Sequence, residues 1–196
     1  MKKPSFQLIT RVLFGCGICL LAISTVLLAI WVWNVESSVS ASESAVNIIR
    51  ASTPEPRGGV LEPRGDNTMA AMSVDGVDYV GIIEMPSYGA TLPVRAEWGS
   101  VTESPCRYYG SVYDGSIEIG ATTQKGQYDF YRELSIGDEL VYTDMEGNRF
   151  VYGISGLRYA DHADRDALGH EESDLTLFIK NIYSFNYLIV FCSARD

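Results

Sequence analysis

The sequence predicts a mainly β domain, a closed barrel or a sandwich of short strands, carried behind one transmembrane helix. Two observations predict it. From Val74 onward, short apolar runs are broken at close intervals by Gly, Pro, Asn and Asp, the punctuation of an all-β chain. Ahead of them, VLFGCGICLLAISTVLLAIWVW (Val12 to Trp33) carries no charge. At 1.5 Å per residue it is long enough to cross a hydrocarbon core of about 30 Å.

The elements follow in order. Residues 1–11 form a short basic N-terminus with Lys2, Lys3 and Arg11, and residues 12–33 form the anchor. A cleaved signal peptide has an apolar region of only about 7–15 residues, so an uncleaved anchor fits better. Trp31 and Trp33 stand where an interfacial aromatic belt belongs. Positive charge before the span and Glu36 after it place the N-terminus in the cytoplasm and the rest outside. Residues 34–73 are rich in Ser, Pro, Gly and Glu, with EPRG occurring twice. Such a segment buries too little apolar surface to offset its ordering entropy, and it reads as a flexible stalk. A short helix over Ser44 to Arg50 is compatible with it.

Residues 74–196 form the folded domain. Strands are expected at Tyr79 to Met85, Ala90 to Val94, Ser116 to Ala121, Glu139 to Asp144 and Arg149 to Ala160. The apolar runs in DLTLFIKNIYSFNYLIVFC (Asp174 to Cys192) add two more around a turn. Tyr128, Tyr131 and Leu134 recur at helical spacing, which predicts one short helix over Gln127 to Leu134.

Composition narrows the function. The chain has 196 residues, enough for one ordinary domain with accessories, and a net charge of −10. Nucleic acid is excluded as a partner, because phosphate neutralisation needs clustered Lys and Arg. Of the four cysteines, Cys16 and Cys19 lie in the anchor. Cys106 and Cys192 lie in the exported part, where a disulfide is chemically permitted. Two buried free thiols are the simpler expectation.

Several segments together resemble one family. GIIEMPSYGATLPV is similar to the opening strands of a sortase, and SPCRY and GSVYDG continue the likeness. LSIGDELVYTDMEGNRFVY resembles the turn and hairpin of that family, and DLTLFIKN with NYLIVFC resembles its last two strands. The likeness covers Tyr79 to Ser193. It implies a sortase-like closed β-barrel of seven to eight strands with one or two short helices. It also implies the activity class of membrane-anchored cysteine transpeptidases of Gram-positive bacteria.

Family chemistry needs three side chains: a cysteine thiolate that attacks the peptide carbonyl, a histidine that protonates the leaving amine, and an arginine that holds the oxyanion or the substrate. The resemblance puts Thr122 at the histidine position, Lys180 at the cysteine position and Tyr187 at the arginine position, or Asn186 with a register slip of one. Thr123, Ile179, Asn181 and Asn186 flank them as groove candidates. The sequence thus departs from the family at the reacting centre.

Other chemistries compete with plainer readings. A desolvated lysine can act as a base, with Thr122 or Thr123 as nucleophile; the plainer reading is a lysine whose stem packs while its head reaches water. Cys106 or Cys192 with His162 or His170 would be a relocated thiol pair; buried inert cysteines are commoner. Asp161, Asp164 and Asp166 in an acidic loop are candidates for Ca²⁺, although the loop lacks the EF-hand pattern; no other cofactor is implied. Eight aromatic residues, Tyr108, Tyr109, Tyr113, Tyr128, Tyr131, Tyr183, Phe185 and Tyr187, supply core packing and a possible apolar slot for an extended peptide.

The expected function is a catalytically silent sortase homologue at the cell membrane. Its expected partners are a sorting-signal-like peptide, a working sortase or a pilin-like protein in surface-protein or pilus assembly. The alternatives are a transpeptidase or hydrolase using unusual residues, and a structural surface module without a peptide site.

Overall fold

The computed structural model describes residues 6–55, 57–58, 68–99, 101–163 and 173–195. It divides into two compact units, Met1–Ser37 and Ser38–Asp196. The first unit holds the apolar part of helix α1 (Phe6–Ser52), whose Leu, Ile, Phe and Trp side chains point outward. It is one helix long and apolar enough to cross a membrane, as expected from the uncharged run.

The second unit is a β-barrel together with the last turns of α1. Eight strands close the barrel: β3 (Val77–Met85), β4 (Ala90–Arg95), β5 (Cys106–Tyr109), β6 (Ile117–Thr122), β7 (Glu139–Asp144), β8 (Asn148–Ala160), β9 (Leu175–Lys180) and β10 (Tyr187–Ala194). Around the wall they run β8, β10, β9, β6, β5, β4, β3 and β7, and β7 pairs again with β8. Two short strands lie outside the ring: β1 (Arg57–Gly58) pairs parallel with β8, and β2 (Met72–Val74) pairs antiparallel with β3.

Alternation makes the barrel. In β6, Ile117, Ile119 and Ala121 face inward; in β9, Leu175, Leu177 and Ile179 do the same; in β10, Leu188, Val190 and Cys192 follow. All belong to one buried cluster with Val80, Ile83, Leu140 and Tyr142. Successive side chains on a strand point to opposite faces, so the even-numbered residues of β6 and β9 are turned outward.

The β7–β8 hairpin is held by one carboxylate. Asp144 accepts hydrogen bonds from the Glu146 and Asn148 backbone amides at 2.9 and 2.8 Å, from Asn148 Nδ2 at 2.8 Å, and from the Tyr113 hydroxyl. Gly147 turns the chain at φ +81°, a backbone region open to glycine without steric cost. Burial and the Asp144 carboxylate push the Tyr113 hydroxyl pKa up to about 12.

Three expectations change. Helix α1 runs on to Ser52 through what the sequence suggested was a stalk. The reason is a buried stripe: Ala45, Val46 and Ile49 pack with Val74, Tyr79, Ile82 and Met145 in a second apolar cluster. Arg50 pairs with Glu84 beside it. Residues 56 and 59–67 of that segment lie outside the described residues.

The helix expected over Gln127 to Leu134 is a chain of turns. Its backbone bonds close at i→i+3, Tyr131 N–H to Tyr128 O and Glu133 N–H to Phe130 O. Its start is pinned to the end of β6, where Gln127 Oε1 accepts from Thr122 N–H at 3.3 Å and Tyr128 N–H donates to Thr122 O. The short helical element that is present is a single 3₁₀ turn, Pro86–Tyr88. Finally, β5, which opens at Cys106, is a strand absent from those expected.

Two outcomes are expected. A piece spanning 74–196 lacks the helix turns over Val74, Tyr79, Ile82 and Met145. Losing a few buried aliphatic side chains removes several kcal/mol, so its melting temperature should fall about 10 °C or more below that of a piece spanning 38–196. Equal melting temperatures would show that the helix contributes no packing. The Tyr128 hydroxyl is buried and has no hydrogen-bond partner among the described residues. Removing an unsatisfied buried polar group relieves a desolvation cost of about 1–3 kcal/mol, so Tyr128→Phe should raise stability by about 1 kcal/mol in urea unfolding.

Candidate functional site

The three positions singled out from the sequence stand side by side on adjacent strands. Thr122 ends β6, Lys180 ends β9 and Tyr187 begins β10. Thr122 is in register with Lys180 across the parallel β6–β9 ladder. Lys180 is in register with Tyr187 across the antiparallel β9–β10 ladder. Neighbouring strands lie about 4.8 Å apart, so the three Cα atoms form one short row at the barrel mouth.

Lys180 and Tyr187 line a surface cavity of about 320 Å³, together with Trp98, Tyr108, Phe178 and Ala121. The aromatic wall is assembled from three parts of the chain. Trp98 lies 5.0 Å from Tyr108 and 5.6 Å from Phe178, centroid to centroid, and Tyr108 lies 5.5 Å from Phe178. Gly120 makes this possible: a methyl group there would overlap the Trp98 ring, so the indole sits directly on the β6 backbone. Lys180 is half-buried, and no ion pair of its ammonium occurs among the described residues.

Other candidates have different work. Ile179 is fully buried on the core face, opposite Lys180, so it does not line the cavity. Asn181 holds the β9–β10 turn. Its Oδ1 accepts from the Tyr183 and Ser184 amides at 2.9 and 3.2 Å, and its Nδ2 donates to the Tyr131 hydroxyl at 2.7 Å. Asn186 closes the same turn by accepting the Asn181 amide at 2.8 Å, and its side chain accepts from the Ser184 hydroxyl. Thr123 ties β6 to that turn, with its hydroxyl accepting from Ile182 N–H at 3.2 Å. Thr122 is almost wholly buried, and its hydroxyl accepts from Gln124 N–H at 3.4 Å.

Neither Cys106 nor Cys192 is near the row in reactive form. Both are free and buried. Cys192 lies on the inward face at the far end of β10, five residues along from Tyr187, or about 17 Å along the strand. Burial pushes its thiol pKa up from the ordinary 9.0 to about 12. Burial raises the Cys106 thiol as well. A reactive cysteine needs thiolate at working pH, and desolvation opposes it in both.

Among the acidic-loop residues, Asp164, Asp166 and His170 lie outside the described residues, as does the rest of 164–172. Among the described residues, no group of three His, Cys, Asp or Glu stands together as a metal site.

Of the eight aromatics named from the sequence, Tyr108 and Tyr187 line the cavity and Tyr128 is core. Trp98 was missed. Its signal was a lone tryptophan in AEWGS, a turn-like context that gives a large aromatic ring no strand face of its own.

No family model and no curated protein matches the chain. Solved structures do. Sortase C1 from Streptococcus agalactiae is 17% identical, with a TM-score of 0.54 over 63% of this chain and 71% of that one. Sortase A from Corynebacterium diphtheriae is 15% identical, with a TM-score of 0.53 over 83% of this chain and 84% of that one. Sortase C1 of GBS pilus island 1 is 12% identical, with a TM-score of 0.52 over 60% of this chain; this chain spans 64% of its length. At such identities the likeness is one of fold. The closed eight-strand barrel that brings Thr122, Lys180 and Tyr187 together is a sortase-like fold.

Proposed function

We propose that this chain is a catalytically silent sortase homologue, anchored in the cell membrane by its N-terminal helix, with the barrel outside. It holds a sorting-signal-like peptide at the β6–β9–β10 mouth and serves surface-protein or pilus assembly without cleaving. The observation that carries this reading is the Thr122–Lys180–Tyr187 row. Its side chains are a hydroxyl, an ammonium and a phenol, and the family resemblance asks for histidine, cysteine and arginine at these positions. The aromatic cavity beside the row supports retained binding, since an apolar, partly preformed recess is the ordinary form of a peptide or ligand site.

The register also suggests a second chemistry, a Thr122–Lys180 hydroxyl–lysine dyad. Burial of Thr122 argues against it, because a nucleophile must meet its substrate. A purely structural module is disfavoured by the open cavity.

Two measurements test the reading. The full chain in detergent micelles should leave sorting-signal peptides intact by mass spectrometry, while a working sortase cuts them. Acylated protein or cut peptide would overturn silence. The combined substitution Thr122→His, Lys180→Cys and Tyr187→Arg should then yield cleavage that iodoacetamide abolishes; no thiol reactivity at position 180 would mean that the row is not the family's reacting centre. Alkylation separates the remaining thiols. At pH 8 the raised thiol pKa values keep Cys106 and Cys192 protonated, so both should resist iodoacetamide in the folded protein and react on unfolding in urea. Rapid native labelling of either would restore a thiol mechanism.

A further inference from the structure

The cavity has a chemistry of its own, apart from what its row has lost. Its walls are aromatic: Trp98, Tyr108, Phe178 and Tyr187. One charged side chain lines it among the described residues, and it is a cation, Lys180. Among the described residues no carboxylate lines it, although the chain as a whole carries a net charge of −10. Among the described residues the Lys180 ammonium has no ion pair.

The polar side-chain groups of its described lining residues share one character. An ammonium is donor-only, an indole N–H is donor-only, and a phenol hydroxyl can donate. Such a set suits an acceptor-only group. A carboxylate is the anionic acceptor-only group of peptides, and charge-assisted bonds to it are about twice as strong as the neutral ones that a backbone carbonyl accepts. The size narrows the choice. At about 320 Å³ the cavity stands at the small end of ligand pockets, which run from about 300 to 1,000 Å³. A space of that size takes a short piece of peptide, and a chain end is the piece that carries a backbone carboxylate.

We infer that the cavity beside Lys180 selects an apolar peptide that ends in a free carboxylate, with Lys180 and the Tyr187 hydroxyl on the carboxylate and the Trp98–Tyr108–Phe178 wall on the last side chain. This rests on the peptide-binding reading and specifies its ligand. The protein would then recognise the product side of a peptide-cleaving reaction, because hydrolysis of a chain is what creates a new terminal carboxylate.

The test uses the full chain in detergent micelles and isothermal titration calorimetry. The probes are acetyl-Ala-Leu-Val as free acid, the same tripeptide as its C-terminal amide, and acetyl-Ala-Glu-Val amide. The free acid should bind at least tenfold more tightly than its amide. Lys180→Met and Lys180→Gln should bring acid and amide within about twofold of each other, and a circular dichroism spectrum matching that of the unaltered protein shows that the variants are folded. Equal binding of acid and amide by the unaltered protein, or a preference that survives both substitutions, would overturn the inference and leave peptide binding itself standing. Equally tight binding of the Glu-containing amide would overturn the chain-end assignment. Binding of none of the three would also overturn it. Full-length sorting-signal peptides titrated in parallel then report separately on the peptide-binding reading.

Discussion

The parallel pairing of β6 with β9 is the constraint on which the site depends. Six residues on each strand stay in unbroken register, from Ile117 opposite Leu175 to Thr122 opposite Lys180. Parallel neighbours cannot be joined by a tight turn, so the chain between them must travel. It does so as the turns from Gln127, strand β7 and the long strand β8, and these complete the far wall of the barrel. A slip of one residue would turn Ile117, Ile119 and Ala121 outward and Thr122 inward. The burial of Ile117, Ile119, Leu175, Leu177 and Ile179 forbids that slip. The same core contacts that hold the barrel therefore decide which side chains meet at its mouth.

Around that mouth, polar groups are occupied in holding backbone rather than in chemistry. Asn181 fastens the β9–β10 turn, and Gln127 joins the end of β6 to the 101–102 backbone, donating to Val101 O and Thr102 O at 3.0 and 2.9 Å. Phe185 takes a positive φ of 61° within that turn, a conformation uncommon for a bulky side chain; the Asn181 bonds on both sides of it keep it in place. The frame around the row is thus well supported, while the side chains it presents are a buried hydroxyl, an ammonium and a phenol.

Much of this was legible in the sequence because strands announce themselves by alternation. The Glu139–Asp144 strand stands where expected, and the others differ by a residue or two at their ends. The family-like order of segments led to Thr122, Lys180 and Tyr187, and backbone register sets them in one row. What was hidden has physical causes. The Ser- and Glu-rich text after the anchor masked a helical stripe of Val39, Ser42, Val46 and Ile49, whose spacing of three and four was the available signal. Tyr128, Tyr131 and Leu134 have helical spacing, yet tertiary bonds from Gln127 and Tyr128 to Thr122 bend the segment into turns. Ile179 was placed in the groove by adjacency in the chain, which ignores the alternation that turns it to the core.

Trp98 lies against the strand that ends at Thr122, in ring contact with Tyr108 and Phe178. The chain's two other tryptophans, Trp31 and Trp33, both belong to the apolar helix. An indole changes its emission with the polarity around it, and Trp98 is half exposed at a cavity wall. With Trp31 and Trp33 replaced by phenylalanine, the protein would carry a single tryptophan, at the edge of this cavity, and any occupant that displaces water there would report its own arrival as a shift in the colour of the indole emission.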